Sequence, residues 1–324
     1  MNNFYFYIFE FGAIFAILAI FFKERKNRGL LKTLMLAVLY GIILEILNVH
    51  MSGLYFYGKE FAIQIYNVPL AIGLGWAVIY YISYKSAENY NLKWWQIPLF
   101  MSLIALSIDL VIDVVAIRLG FWSWQIPFDQ EWFGVPYDNL FGWMAVIWTF
   151  SFFISLSRQN FLSKKLSKII KYSSVIIAPF LLAFQIISYT ILSAVVSGKF
   201  TLNEVMALYN KDDYSYAYYS EVQSAKAYIL SSVVILLVLY LTKEIYKNRD
   251  RIFTGINFLP FLILILLHFF FLASIFAEGI YKQLPIIVFI SMLVFIIHTL
   301  LFLFPVYLLK NRNKNIRIDI NSQN

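Results

Sequence analysis

The 324-residue chain contains no cysteine. That removes disulfides, thiolate metal sites and cysteine nucleophiles together, and it leaves the redox compartment open. Charge is scarce too. Only 14% of residues are Asp, Glu, Lys or Arg, and there are three histidines. No segment reads as a strand, so no Gly-rich phosphate loop placed after a strand is expected. No basic stretch precedes the first apolar run, which is therefore expected to stay as a helix and not to be cleaved as a signal peptide. Internal repeats and low-complexity segments are not evident.

What fills the chain is apolar. Hydrophobic residues make up 61%, and mean hydropathy is +0.73. No ordinary soluble domain has that balance. Runs long enough to cross a bilayer recur throughout, so the fold class is all-α, a polytopic transmembrane helical bundle. Nine spans are predicted, at 4–22, 31–49, 67–84, 94–119, 138–157, 172–197, 226–243, 256–276 and 285–309. The loops between them alternate in charge. One side carries 19 Lys/Arg and the other 4. This split predicts an N-terminus outside and a C-terminus in the cytoplasm of a multi-pass protein of the cell membrane. It also explains the net charge of +8. The basic residues read as topology signals and anchors on anionic lipid, not as a nucleic-acid surface. Residues 1–157 are expected to form an N-terminal bundle carrying an acidic and aromatic motif. Residues 158–324 hold further helices without an assigned role. The tryptophans near span ends (Trp94, Trp95, Trp122, Trp124, Trp132) fit an interfacial belt, and the polar stretch "NKDDYSYAYYSE" fits a solvated loop or a short surface helix.

Against that background the acidic residues stand out. Asp109 and Asp113 lie four apart in the fourth span, on one helix face. At about 1.5 Å rise per residue, Asp109, Glu45 and Glu10 each fall roughly 8–9 Å below the outer surface of a core about 30 Å thick. Three helices thus bring carboxylates to one plane. Burying one there costs a few kcal/mol, so the set is expected to face the bundle interior with a role or a partner. Cations are few. Lys32 is at the far end of its span, and Arg118 points to another face unless it reaches Asp113 in a structural salt bridge. A neutral carboxylic acid in apolar surroundings is a good general acid.

The histidines carry less. His50 lies just above Glu45 at the outer edge, while His268 and His298 sit within the last two spans and fit interhelical hydrogen bonds. No carboxylate stands at a matching spacing, so no metal site is expected.

The fourth span continues into "GFWSWQIPFDQEWFGVPYDNLFGW". With what precedes it, this stretch resembles the carotenoid biosynthesis protein family, which includes membrane hydratases of acyclic carotenoids and of bisanhydrobacterioruberin. The family pattern is D-x-x-x-D-P-x-A, then G-x-W-x-W, then F-G-V-P-x-x-N-F-x-G-W. Asp109, Asp113 and Ala116 match its helix. Gly120, Trp122 and Trp124 match its aromatic turn. Phe133, Gly134, Val135, Pro136, Asn139, Gly142 and Trp143 match its last part. Upstream, "YGIILEILNV", "GLYFYG" (Tyr55, Tyr57) and "NVPLAIGLGWAVIYY" look like the family's glutamate helix, its Gly-x-Tyr-x-Tyr loop and its Val-Pro helix. The resemblance covers roughly residues 37–150. Val114 replaces the usual proline, which would straighten the top of the fourth span, and Leu140 replaces Phe.

The resemblance implies an isoprenoid enzyme that adds water to the terminal double bond of a lipophilic polyene. Asp109 would be the acid, with Asp113 and Asn139 orienting water and Glu45 and Glu10 tuning charge. Trp122, Trp124 and Trp143 would line the cation pocket, with Tyr55, Tyr57 and His50 on the substrate. No cofactor is needed for this chemistry, and the substrate would come sideways from the bilayer. Two alternatives stay open. Membrane lycopene cyclases share the acidic helix, but their proline motif carries paired glutamates where this chain has Tyr137-Asp138-Asn139. A proton- or cation-coupled transporter would also cluster carboxylates, with broken helices near the midplane. The oligomeric state is not readable.

Overall fold

The computed structural model describes residues 3–52, 55–124, 131–204, 220–248 and 257–322. The main helices in chain order are α1 (Phe4–Lys23), α2 (Arg28–Leu47), α3 (Leu70–Ala87), α4 (Gln96–Leu119), α5 (Tyr137–Ser157) and α6 (Lys164–Val196). Then come α7 (Ser220–Lys247), α8 (Phe258–Ala277), the four-residue α9 (Ile280–Gln283) and α10 (Ile286–Ser322). Eight of these are long and apolar enough to cross a membrane. The remaining expected span is α3, a continuous helix of 18 residues. Tyr80, Tyr81, Tyr84 and Lys85 make it less apolar, and it lies inside the bundle rather than against lipid. The stretch "NKDDYSYAYYSE" falls almost wholly outside the described residues.

Local chemistry sets the helix ends. The Asn27 side chain accepts from Leu30 N at 3.1 Å, and the Ser163 hydroxyl accepts from Leu166 N at 3.2 Å, so both cap the free N–H groups of a first turn. Pro69 and Pro136 stand in extended conformation immediately before α3 and α5. At its other end α4 stops at Gly120, whose φ of +76° suits the left-handed cap that glycine accepts without strain. With Val114 where the family has proline, α4 runs unbroken to that cap.

α4 is the axis of the bundle. In its most apolar stretch 78% of residues are buried, against 22% for α1 and for α7. The helix that carries Asp109 and Asp113 therefore occupies the place most shielded from lipid, as the cost of an exposed intramembrane carboxylate requires. It packs on α3, α5, α7, α8 and α10. His268 of α8 and His298 of α10 hydrogen-bond each other across 2.8 Å, and His298 Nε2 lies 2.8 Å from Ser107 Oγ of α4. The expected interhelical role of these histidines is what the packing shows.

Short strands correct the reading of an entirely strand-free chain. β1 (Tyr55–Tyr57) pairs antiparallel with β4 (Trp122–Trp124), in the register Tyr55↔Trp124, Phe56↔Ser123 and Tyr57↔Trp122. β2 (Gln64–Ile65) pairs with β3 (Val68–Pro69). The β1–β4 ribbon caps one end of the bundle. Alternation along a strand sends Tyr55, Tyr57, Trp122 and Trp124 inward and leaves Phe56 and Ser123 exposed.

Candidate active site

Asp109 and Asp113 are buried one turn apart on α4, at no more than 1% exposure. The amide of Asn139, in the first turn of α5, joins them. Its Nδ2 donates to Asp113 Oδ2 and, at 3.4 Å, to Asp109 Oδ2. The second oxygen of each carboxyl, Asp109 Oδ1 and Asp113 Oδ1, is buried with no hydrogen-bond partner among the described residues. Neither aspartate has an ion pair among the described residues. Arg118 is not their counter-ion. Its Nη1 donates to the carbonyls of Val114 at 2.6 Å and Phe133 at 3.1 Å, and so pins the loop before α5. Two carboxyls and one amide, with no paired cation among the described residues, form a group whose charge only protons can balance.

Glu45, near the end of α2, is treated differently. Three donors converge on it: the Tyr55 hydroxyl, the Tyr57 hydroxyl at 2.9 Å and Trp76 Nε1 at 2.9 Å. The two tyrosines come from β1, so the ribbon aims them. Burial, and then the negative charge of Glu45, push both phenols well above their ordinary range, which keeps them as O–H donors. Trp76 also packs on Trp143, with ring centroids 4.7 Å apart. Gly41 makes this possible, because a Cβ there would lie 2.7 Å from the Trp76 ring.

These groups sit at one end of a cavity of about 590 Å³. Asp113, Glu45, Asn139, Tyr55, Tyr57 and the tryptophans Trp122, Trp124 and Trp143 all face it, so the structure brings most of the sequence-predicted site together. The rest of the wall is largely apolar and comes from α1, α3, α8 and Ile112 of α4. Trp122 is buried here, against Tyr57 at 6.1 Å, and faces the cavity. Asp109 stands behind Asp113, linked through Asn139 and not among the residues facing the cavity.

Two expected residues lie elsewhere. Glu10 accepts from the backbone N–H of Ala62 at 2.8 Å and of Ile63 at 3.2 Å, fastening the loop before β2 to α1. His50 is exposed and lies 3.1 Å from the Tyr66 carbonyl. Neither borders the cavity. Sequence reasoning, for its part, passed over Trp76 and the whole of α8. The signal for Trp76 was present, since a tryptophan inside an apolar span needs an acceptor for its N–H.

A second polar cluster adjoins the first. Asp138, next to Asn139, is ion-paired with the fully buried Lys226 of α7 and accepts from Thr190 Oγ1 at 3.1 Å. Glu131 accepts from the N–H of Tyr137 at 2.6 Å and so caps α5. Burial, outweighing that hydrogen bond and the nearby Lys226 charge, pushes the Glu131 carboxyl up to about 7.

The family described as "Carotenoid biosynthesis protein" matches residues 3–204, more than half of the chain. The chain belongs to the carotenoid biosynthesis protein family. The match runs from α1 through α6 and is wider than the 37–150 that the motifs carry. α7 to α10 lie beyond it. No curated protein and no solved structure matches the chain. Membership gives this carotenoid biosynthesis protein a role in making carotenoids. Its eight apolar helices fit a multi-pass membrane protein working on a lipophilic carotenoid in the bilayer.

Proposed function

We propose that this carotenoid biosynthesis protein is a hydratase of the cell membrane, which adds water to the terminal isoprene double bond of an acyclic carotenoid such as a bacterioruberin precursor. One observation carries the reading. Asp113 and Asn139 face the polar end of an otherwise apolar cavity, with Asp109 behind them and no counter-cation among the described residues. A hydrocarbon fits the apolar part, and acid–base chemistry fits the polar end.

Asp113 is the group placed to touch substrate, because it borders the cavity. It gives its proton to the less substituted carbon of the double bond, and the π pair forms the new C–H bond. A tertiary cation remains on the other carbon. Trp122, Trp124 and Trp143 offer ring faces to that cation, worth about 2 kcal/mol each when desolvated. Glu45, held by three donors, fixes a further carboxyl beside the reacting end. Water adds to the cation, and its surplus proton returns to the aspartate pair, which restores the acid. Asp109, which the sequence points to as the acid, serves in this geometry as the proton reserve behind Asp113, coupled through Asn139. The net change is one water added, with no redox step.

The test is expression in a host that accumulates lycopene, followed by mass spectrometry of the pigments. A product heavier by one water, lost with Asp113→Asn in a folded protein, is the expected result. A product of unchanged mass and altered spectrum would mean cyclisation. Untouched pigment beside well-expressed protein would overturn both and return attention to ion-coupled transport.

A further inference from the structure

The apolar arm of the cavity has an unusual boundary. α1 and α8 each pack on α3, yet they meet each other closely only at the ribbon end. There Phe270 lies 6.5 Å from Tyr5 and 6.4 Å from Phe9, ring centroid to centroid. Away from that end the two helices leave a slot. Its α1 side runs from Ile8 to Ala19, about 16 Å along the helix axis, and includes Gly12 and Ala16. Its α8 side includes Leu262 and Leu266. The mouth faces lipid, because Phe15 is 78% exposed and Leu266 is 59% exposed.

Two glycines set the width. A Cβ added at Gly12 on α1 or at Gly75 on α3 would meet nothing within 4 Å. Both lie inside helices, where glycine is a poor helix former. Neither needs a left-handed backbone. No neighbouring atom presses on either position, so what these glycines provide is empty space along the slot.

We propose that the slot between α1 and α8 is both the lateral port and the berth for the polyene chain, with Gly12 and Gly75 setting its bore. This rests on the carotenoid reading above. The reacting end of the chain lies at Asp113 and Asn139, and the rest runs along α1 away from the ribbon. Because α8 lies beyond the family match, this wall belongs to a part of the chain outside the family core. It makes α8 the element that selects among carotenoid tails.

The experiment uses the full chain in phosphatidylcholine nanodiscs with lycopene as the probe, reading bound pigment per protein by absorbance. Gly75→Leu and Gly12→Leu should each lower bound lycopene at least tenfold, while Gly75→Ala, which adds one methyl to open space, keeps most of it. Helical circular dichroism and elution volume should stay unchanged, since leucine favours a helix over glycine. A second readout needs no turnover. The chain has no native cysteine, so a single introduced thiol is the only one that reacts. Lycopene should slow modification of Ala16→Cys by a lipid-soluble thiol reagent at least tenfold. It should not affect Leu18→Cys on the exposed face of α1. Wild-type protein that holds lycopene while Ala16→Cys reacts at the same rate with and without it would overturn the slot alone. So would undiminished pigment in both leucine variants. An acyl chain of the lipid as occupant would give that same unprotected result. Wild-type protein that holds no lycopene would overturn the carotenoid reading together with the slot.

Discussion

Asp138 and Asn139 are neighbours in the first turn of α5, and they serve two buried polar clusters built on different terms. Asp138 has a dedicated cation, Lys226, and a hydroxyl from Thr190. Asn139 reaches Asp113 and Asp109, which have no cation and keep one unused oxygen each. The first cluster is neutral as a pair and holds α5, α6 and α7 together. The second is neutral only when both carboxyls carry a proton, and it borders an open cavity. In a membrane the difference between a structural and a chemical carboxylate is therefore whether its compensating charge is fixed or exchangeable.

The comparison can be broken experimentally, and the largest effect belongs to the chemical cluster. Asp113→Asn keeps shape and removes the proposed proton donor. Turnover of lycopene should fall by about a thousandfold or more, with thermal stability unchanged or raised, both measured on purified protein. Next is the structural cluster. Lys226→Met should cost about 1–3 kcal/mol, because it takes the cation from the half-buried Asp138 carboxylate. A Lys226→Met, Asp138→Asn double variant should recover most of the lost Tm, and activity should follow stability in both. Glu45→Gln should have a smaller effect on turnover, about ten- to a hundredfold. Its amide still meets Tyr55, Tyr57 and Trp76 but no longer offers a carboxyl, so bound pigment should be preserved.

The last effect is on stability alone and sits between the clusters. Glu131 is raised in the folded protein from its ordinary 4.5 to about 7. The native state therefore holds this proton to higher pH than the unfolded chain does. The stabilisation is complete below about pH 4.5 and is lost as pH rises towards about 7, by up to ~3 kcal/mol in total. Glu131→Gln should flatten that part of a Tm-against-pH curve while leaving the curve outside the window alone.

Helices were readable because hydropathy over 20 residues averages out local accidents. Charge alternation between loops separated adjacent runs, and it distinguished α3 even though that helix carries tyrosines and a lysine. Asp109, Asp113 and Asn139 were readable through the i, i+4 spacing and the proline motif. Other features depend on partners far along the chain. Tyr55-Phe56-Tyr57 and Trp122-Ser123-Trp124 each show the two-residue alternation of a strand, but three residues are too few to separate from a turn until the two segments pair. Depth arithmetic put Glu10 level with Glu45 and Asp109. Depth does not fix rotation about the helix axis, and Glu10 turns to the loop backbone at Ala62 and Ile63. α8 faces the cavity with leucines, isoleucine and phenylalanine, residues that lipid-facing helices also carry, so nothing in its composition marks it as a wall.

The cavity has its carboxyls at one end only, and its long apolar arm leads away from them. A symmetric polyene lodged there presents a single terminus to chemistry. Its other terminus lies in the slot or in the lipid, out of reach of Asp113. Modifying both ends then takes two separate visits, with release, an end-for-end turn in the bilayer and recapture between them. Under the proposed hydration, the singly hydrated pigment would be a free membrane species, which should accumulate early in a time course and compete with unreacted carotenoid for the same protein.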